Sequence, residues 1–159
     1  LIITGTGKTF SAGADIEAAR AGLAIDPVWE EVSSRIARLP FLTVAALNGT
    51  LAGGAFGMAL ACDIRIAVPA ARFFYPVMQL GFLPQPSDPA RLAALVGPSR
   101  ARMVLMAAQK IDAETALDWG LVDRIVALEA LGTEARTLAD ASVGAPEHIR
   151  RTIKRMIPG

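Results

Sequence analysis

The fold is decided by residues 48–55, which read Asn-Gly-Thr-Leu-Ala-Gly-Gly-Ala. They follow an apolar segment, residues 42–47, that predicts a buried strand, and the Asn-Gly pair predicts a turn after it. The small residues from about Gly54 predict a short helix, and the apolar residues 64–68 predict the next strand. Most of the later segments have helical patterns. This order of elements indicates an α/β core followed by a helical region.

A second run of small residues lies at residues 10–16, which read Phe-Ser-Ala-Gly-Ala-Asp-Ile and come after a predicted strand at residues 1–4. Small side chains let a ligand approach the backbone. The N–H groups of Ala14 and Gly54 are therefore candidates to converge on one oxygen, with added positive potential from the helix predicted to begin at Gly54. Such a pair stabilises an enolate or a tetrahedral oxyanion. The alternative is that these glycines only permit close packing of strand and helix.

The composition predicts one compact globular domain, because 159 residues with 53% apolar and 19% charged side chains can bury a sizeable core. The net charge of +1 gives no overall field for nucleic acid or an anionic membrane. The single cysteine, Cys62, and the lack of a secretory pattern indicate a cytoplasmic protein. No group of His, Cys and carboxylate residues has metal-ligand spacing, so no metal is expected.

Two other motifs resemble sites of different function. Residues 5–9, Gly-Thr-Gly-Lys-Thr, imitate the end of a phosphate-binding loop, but the first glycine of that loop would fall at Ile2 within the strand. Residues 42–62 carry no charge and have glycines at four-residue spacing, as a membrane helix can. The Asn-Gly turn in the middle of them favours a strand followed by a helix instead.

Several other residues are assigned structural roles. Asp26 and Pro27 predict the start of a helix, with the aspartate as its N-cap. The predicted apolar face of that helix consists of Val28, Val32, Ile36 and Leu39. Met103 and Met106 are predicted to lie in the core. His148, the only histidine, is predicted on an exposed basic helix rather than in catalysis.

Together, residues 10–16 and 48–55 resemble the signature pair of the crotonase (enoyl-CoA hydratase/isomerase) family, in its order and at its separation. Essentially the whole chain is covered. Further similar segments are Cys62-Asp63, Leu80-Gly81, Arg91-Leu92, Val96-Gly97 and residues 113–122. The resemblance implies a ββα spiral core at residues 1–98 and a mostly helical region at 99–159 that serves assembly into homotrimers or dimers of trimers. Relative to the family, the opening turns and final helices are absent, so a chain truncated at both ends is expected.

The resemblance also implies an acyl-CoA thioester as the partner, with its carbonyl oxygen held by the N–H groups of Ala14 and Gly54. The CoA arrives with the substrate, so no separately bound cofactor is expected. The other residues implied to line the CoA and acyl site are Ala12, Gly13, Asp15, Ile16, Gly53, Gly57, Val77 and Gln85.

The two catalytic glutamates of a family hydratase are missing. Gly57 and Val77 stand at their positions, so hydration of an enoyl-CoA by two glutamates is not expected. Asp88, Tyr75 and Gln85 are the candidates to take over proton transfer or water positioning, and Asp88, between two prolines on a loop, is the best of them. Their ordinary alternatives are an aspartate that caps its own loop and a tyrosine of the core. The protein is then a lyase, isomerase or hydrolase with a different acid or base, a non-catalytic acyl-CoA binder, or an assembly subunit.

Overall fold

The computed structural model describes residues 1–157, with the side chain of Ile16 outside the described part. The strands are β1 (Ile2–Thr4), β2 (Thr9–Ser11), β3 (Val44–Leu47), β4 (Thr50–Ala52), β5 (Ile64–Ala67), β6 (Arg72–Phe74), β7 (Ile111–Asp112) and β8 (Arg124–Ile125). The helices are α1 (Ile16–Arg20), α2 (Val28–Ala37), α3 (Phe56–Leu60), α4 (Val77–Leu80), α5 (Asp88–Val96), α6 (Pro98–Leu105), α7 (Ala113–Trp119), α8 (Leu131–Gly144) and α9 (Glu147–Met156).

The strands form two four-stranded sheets, and each successive turn of the spiral adds one strand to each sheet. The first sheet has the order β1-β3-β5-β8 and the second has the order β2-β4-β6-β7. Three successive strand pairs, β1 with β2, β3 with β4 and β5 with β6, each give one strand to each sheet, and helices connect the pairs. All pairings are parallel except that of β6 with β7. The predicted α/β spiral core is confirmed.

The central strand β3 explains why the core tolerates so little polarity. Its four side chains are at most 2% exposed, because it is paired on both edges, with β1 and with β5. Parallel strands covered on both faces need continuous apolar sequence rather than alternation. The apolar run that predicted this strand is therefore a direct consequence of its central position.

Four strands, β2, β4, β6 and β7, were not predicted from the sequence. Each has only two or three residues, too few for a two-residue alternation to be recognised, and none lies in a wholly apolar run such as the one that marks β1. The uncharged residues 42–62 are divided between β3, β4, a 3-10 turn and α3. Within residues 1–157, no helix is both long enough and apolar enough to cross a lipid bilayer.

The helix predicted after Asp26 and Pro27 is present, but its buried face is rotated from the predicted one. The Asp26 carboxylate accepts a hydrogen bond from the Val28 N–H at 2.8 Å, in agreement with its predicted capping role. Val28 and Val32 are 43% and 37% exposed, contrary to the prediction. α2, which packs against α3, buries Ile36 as predicted, together with Ser33.

The prediction that Met103 and Met106 lie in the core is wrong, since they are 38% and 60% exposed. α6 buries Ala101, Val104 and Leu105 against its neighbours instead. In the region predicted to be mostly helical, residues 99–159, α6, α7, α8 and α9 are helices, while β7 and β8 extend the two sheets. The division of the chain at residue 98 stays a prediction.

Candidate functional site

The two glycine-rich segments lie against each other. Gly13 and Gly53 both have left-handed backbone conformations, with φ of 100° and 63°. A Cβ atom added to Gly53 would lie 3.3 Å from the Gly13 Cα, and one added to Gly13 would lie 3.8 Å from the Ala52 carbonyl oxygen. The backbone just before Ala14 is thus in contact with the backbone just before Gly54, with no side chain between them.

The two backbone N–H groups predicted to hold an oxyanion have no acceptor among the described residues. Within residues 1–157, neither the Ala14 N–H nor the Gly54 N–H donates to a protein acceptor. The helix predicted to start at Gly54 begins later, because Gly54 lies in a 3-10 turn, Gly53–Ala55, and α3 starts at Phe56. With only five residues, α3 adds little dipole potential at Gly54.

Trp29 of α2 packs over this turn. A Cβ atom at residue 54 would lie 3.5 Å from the Trp29 indole carbon Cδ2, an ordinary van der Waals distance, so the ring lies directly against Gly54. The indole Nε1–H donates to the Leu23 carbonyl at 2.8 Å, which fixes the orientation of the ring. Trp29 is a wall of the site that sequence reasoning missed.

Asp88 is placed differently from the prediction. It is the first residue of α5 rather than part of a loop, and its side chain is 0% exposed. Its Oδ2 atom accepts a hydrogen bond from the Tyr75 hydroxyl at 2.9 Å, while Oδ1 has no partner among the described residues. It does not cap its own backbone. Burial raises the pKa of the Asp88 carboxyl to about 6, although Tyr75 and Arg91 act to lower it.

Tyr75 holds this carboxylate in place. The ring is 3% exposed and stacks on Phe56, with 5.2 Å between ring centroids. Its hydroxyl accepts a hydrogen bond from the Gln85 N–H at 3.4 Å and donates to Asp88. Burial and the neighbouring Asp88 carboxylate raise the pKa of Tyr75 well above its usual value. The hydroxyl therefore stays protonated and acts as a donor.

The Asp88 carboxylate fills the space beside Gly57. A Cβ atom added to Gly57 would lie 2.8 Å from Asp88 Oδ1 and 3.2 Å from Oδ2. Any side chain at position 57 would meet this carboxylate. The Asp88 carboxylate of α5 therefore fills the space that a side chain at residue 57 of α3 would need.

A second polar cluster fixes the start of α5. Glu30 on α2 accepts hydrogen bonds from the Ser87 N–H at 3.0 Å, from the Ser87 hydroxyl and from the Ser34 hydroxyl. Arg91 donates to the Ser33 hydroxyl at 3.0 Å. Burial alone raises the pKa of the Glu30 carboxyl, but the bonds from Ser87 and Ser34 outweigh it, and its pKa lies below the usual value.

The other predicted site residues fall into two places. Ala12 and Asp15 are exposed beside the first glycine segment, where Asp15 caps α1 by accepting from the Ala18 N–H at 2.9 Å. Val77 begins α4 and Gln85 precedes α5, and both are buried on the side of Tyr75. The side chain of Ile16 lies outside the described residues.

The basic helix lies apart from the glycine segments. His148 is exposed on α9. A cavity of about 390 Å³ between α2 and α9 is lined by Ala37, Arg38, Leu39, Pro40, Arg151, Lys154 and Arg155. None of the predicted substrate-binding residues lines it. The Lys154 ammonium group donates a hydrogen bond to the Asp63 carboxylate, with 2.8 Å between Nζ and Oδ2.

The sequence profile described as enoyl-CoA hydratase/isomerase matches residues 1–157. The chain belongs to this family, the crotonase family. It is 40% identical to carnitinyl-CoA dehydratase of Citrobacter koseri over 91% of its own length and 57% of that protein. It is 30% identical to ethylmalonyl-CoA decarboxylase of Xenopus laevis, over 99% of its length and 55% of the relative. The chain thus spans little more than half of these curated relatives.

A solved crotonase-family structure has the same fold. The structure is of a putative enoyl-CoA hydratase from Thermobifida fusca in complex with CoA, and it is 30% identical to this chain with a TM-score of 0.86. The alignment covers 97% of this chain and 65% of that one. The fold inferred from the resemblance is confirmed.

The Asp88 carboxylate comes from neither of the two positions that the resemblance implies for the glutamates of a family hydratase. The positions implied for the two glutamates hold Gly57 and Val77, while Asp88 reaches the volume beside Gly57 from another helix. Sequence reasoning missed Trp29 and Glu30, which lie on α2. No local pattern marks them, because Glu30 bonds to Ser87, 57 residues away.

Proposed function

We propose that the protein binds an acyl-CoA thioester and stabilises its enolate or oxyanion with the N–H groups of Ala14 and Gly54. The observation that carries the proposal is the contact of the two glycine segments, next to two N–H groups that no protein acceptor within residues 1–157 takes up. Preorganised donors of this kind cost no reorganisation when charge develops on an oxygen. The acyl-CoA relatives and the CoA-bound neighbour support the choice of ligand.

The proposed reaction is an acyl-CoA lyase, isomerase or hydrolase reaction rather than hydration by two glutamates. Gly57 and Val77, at the positions implied for a hydratase's pair of glutamates, carry no carboxylate, so hydration by such a pair is not expected. The same two residues favour the second candidate, a non-catalytic acyl-CoA-binding or assembly member of the family. The two candidates differ in one measurable property, which is whether a bound thioester is converted.

The first test is replacement of Ala14 by proline, which removes the N–H group. We expect any turnover to fall by about a hundredfold or more, since one such donor contributes about 3 kcal/mol of transition-state stabilisation, and acetoacetyl-CoA affinity measured by calorimetry to fall as well. Ala14→Gly keeps the N–H and is expected to behave like the parent protein. Should the proline alter the fold, replacing residue 14 by lactic acid exchanges only the N–H for an ester oxygen.

Unchanged affinity and turnover in a folded protein without the residue 14 N–H would contradict the proposal. Turnover is followed by mass spectrometry of enoyl-CoA, hydroxyacyl-CoA and malonyl-type thioesters. Binding without a product from any of them would favour the non-catalytic candidate.

We also propose a cytoplasmic homotrimer or dimer of trimers. Exposed apolar side chains on α2 and α9 support burial against another copy: Val28 is 43%, Val32 is 37%, Ile149 is 43% and Ile153 is 53% exposed. Light scattering should give three or six times the chain mass of 16.7 kDa. A particle with the mass of one chain at micromolar concentration would contradict this assembly.

A further inference from the structure

Asp88 is an unusual carboxylate. Among residues 1–157, it is the one buried acidic side chain, and its Oδ1 atom has no hydrogen-bond partner there. Buried polar groups are nearly always paired, because an unpaired one costs free energy on folding. A buried carboxylate with a free oxygen therefore needs an explanation outside stability.

The free oxygen lies next to the helix turn that carries the Gly54 N–H. Oδ1 is 2.8 Å from the position of a Cβ atom on Gly57. Gly57 follows Gly54 by three residues, and residues at that spacing are neighbours on a helix face, about 5–6 Å apart between Cβ positions. The carboxylate thus lies against a residue that is three positions, about one helical turn, after the proposed oxyanion donor.

We infer that Asp88 is the acid–base residue of this protein and exchanges a proton with the α-carbon of the acyl group, the carbon next to the thioester carbonyl. The inference rests on the proposed function, since it needs a thioester whose oxygen is held at Ala14 and Gly54. The carboxylate takes the proton from the α-carbon. The C–H electron pair then forms a C=C bond between the α-carbon and the carbonyl carbon, while the carbonyl π electrons move to the oxygen. Return of the proton reverses the step, with no oxidant or reductant.

The surroundings of Asp88 suit a group that both takes and gives a proton. Burial raises the pKa of its carboxyl to about 6, which is close to neutral pH. The ionisable groups that act on it are Tyr75, Glu30 of α2 and Arg91 of its own helix. The facing helix α3 contains no ionisable side chain.

Two neighbours are positioning residues. Tyr75 donates to Oδ2 and leaves Oδ1 free. Glu30 binds both the N–H and the hydroxyl of Ser87, the residue before Asp88. The carboxylate is therefore held from two sides, by a side chain on its oxygen and by a clamp on its backbone.

The test is proton exchange without net reaction. Butyryl-CoA and phenylacetyl-CoA are incubated with the protein in deuterium oxide, and deuterium uptake is measured by mass spectrometry, alongside calorimetry with acetoacetyl-CoA. We expect the parent protein to bind and to exchange. Asp88→Asn should keep acetoacetyl-CoA affinity within a few fold and slow exchange by about a hundredfold or more.

The outcomes separate this inference from the proposed function. Exchange that is unchanged in Asp88→Asn would overturn the role of Asp88 and leave the oxyanion site standing. Binding of acetoacetyl-CoA by a parent protein that exchanges neither probe would also overturn it. Absence of binding in the parent protein would remove the proposed function itself, and the inference with it.

Two further variants test position rather than presence. Tyr75→Phe removes a hydrogen bond that lowers the Asp88 pKa, so the acid limb of the exchange rate, expected near pH 6, should move to higher pH. An acid limb that does not move would contradict the positioning role.

The double variant Gly57→Glu with Asp88→Gly places a carboxylate in the same volume from α3. It should recover part of the exchange lost in Asp88→Gly, and no recovery in a folded double variant would contradict the shared position.

Discussion

Replacing Gly49 by alanine should destabilise the protein by at least about 3 kcal/mol, the upper range for overpacking in a closely packed interior. The added Cβ atom would lie 2.0 Å from the Lys8 carbonyl oxygen and 3.1 Å from the Thr9 Cα. Both are backbone atoms, so no side-chain rotation relieves the collision. The turn between β3 and β4 must then move away from the turn between β1 and β2.

That movement would also break the polar contacts between the two turns. Asn48, 7% exposed, accepts a hydrogen bond from the Gly5 N–H at 2.9 Å and donates one to the Gly7 carbonyl at 2.9 Å. The pairing of Thr9 with Thr50 begins directly beside these bonds. Because β4 leads into Gly53 and Gly54, the displacement should reach the proposed oxyanion site as well.

The effect of Gly49→Ala is measured by urea unfolding followed by circular dichroism. Gly144→Ala is the matched control, since no atom lies within 4 Å of its Cβ position and it ends α8. That change should alter the unfolding free energy by no more than about 1 kcal/mol, in the stabilising direction. Equal unfolding midpoints for Gly49→Ala and the parent protein would show that the turns are not in contact.

The glycine segments could be predicted from the sequence because the signals that mark them are local. Gly13 and Gly53 have positive φ, which is a local requirement, while Gly49 was recognisable from the Asn48-Gly49 turn signal although the contact that requires glycine there is with Lys8, distant in the chain. β3 could be predicted because a central parallel strand needs apolar residues throughout. The three-residue strands β2, β4 and β6 could not, because their pairing comes from neighbouring turns of the spiral and not from a pattern of their own.

The position of Asp88 could have been predicted more closely. Asp88-Pro89 is the same kind of helix-start signal as Asp26-Pro27, which located α2, and α5 indeed has its proline in the first turn. Its burial and its contact with Gly57 could not be predicted. They depend on the packing of α5 against α3, between residues that are distant in the chain.

Replacement of Asp88 by asparagine should stabilise the protein at neutral pH. Burial raises the pKa of the folded-state carboxyl from 3.8 to about 6. Between these values the folded state binds more protons than the unfolded state, so the stability from this group is complete below pH 3.8 and is lost as the pH rises through 6. At pH 7 the ionised carboxylate costs about 2–3 kcal/mol, which the neutral amide avoids.

The gain from Asp88→Asn should therefore depend on pH. Urea unfolding at pH 4, 5, 6 and 7 should show a small difference between the variant and the parent protein at the lowest pH and the largest at the highest. Asp118→Asn is the control, because the Asp118 side chain is 79% exposed and its change should stay within about 0.5 kcal/mol. An Asp88→Asn protein that is less stable than the parent at pH 7 would mean that the carboxylate is held for stability. A more stable variant that no longer exchanges protons would mean that the chain keeps a destabilising charge for its chemistry.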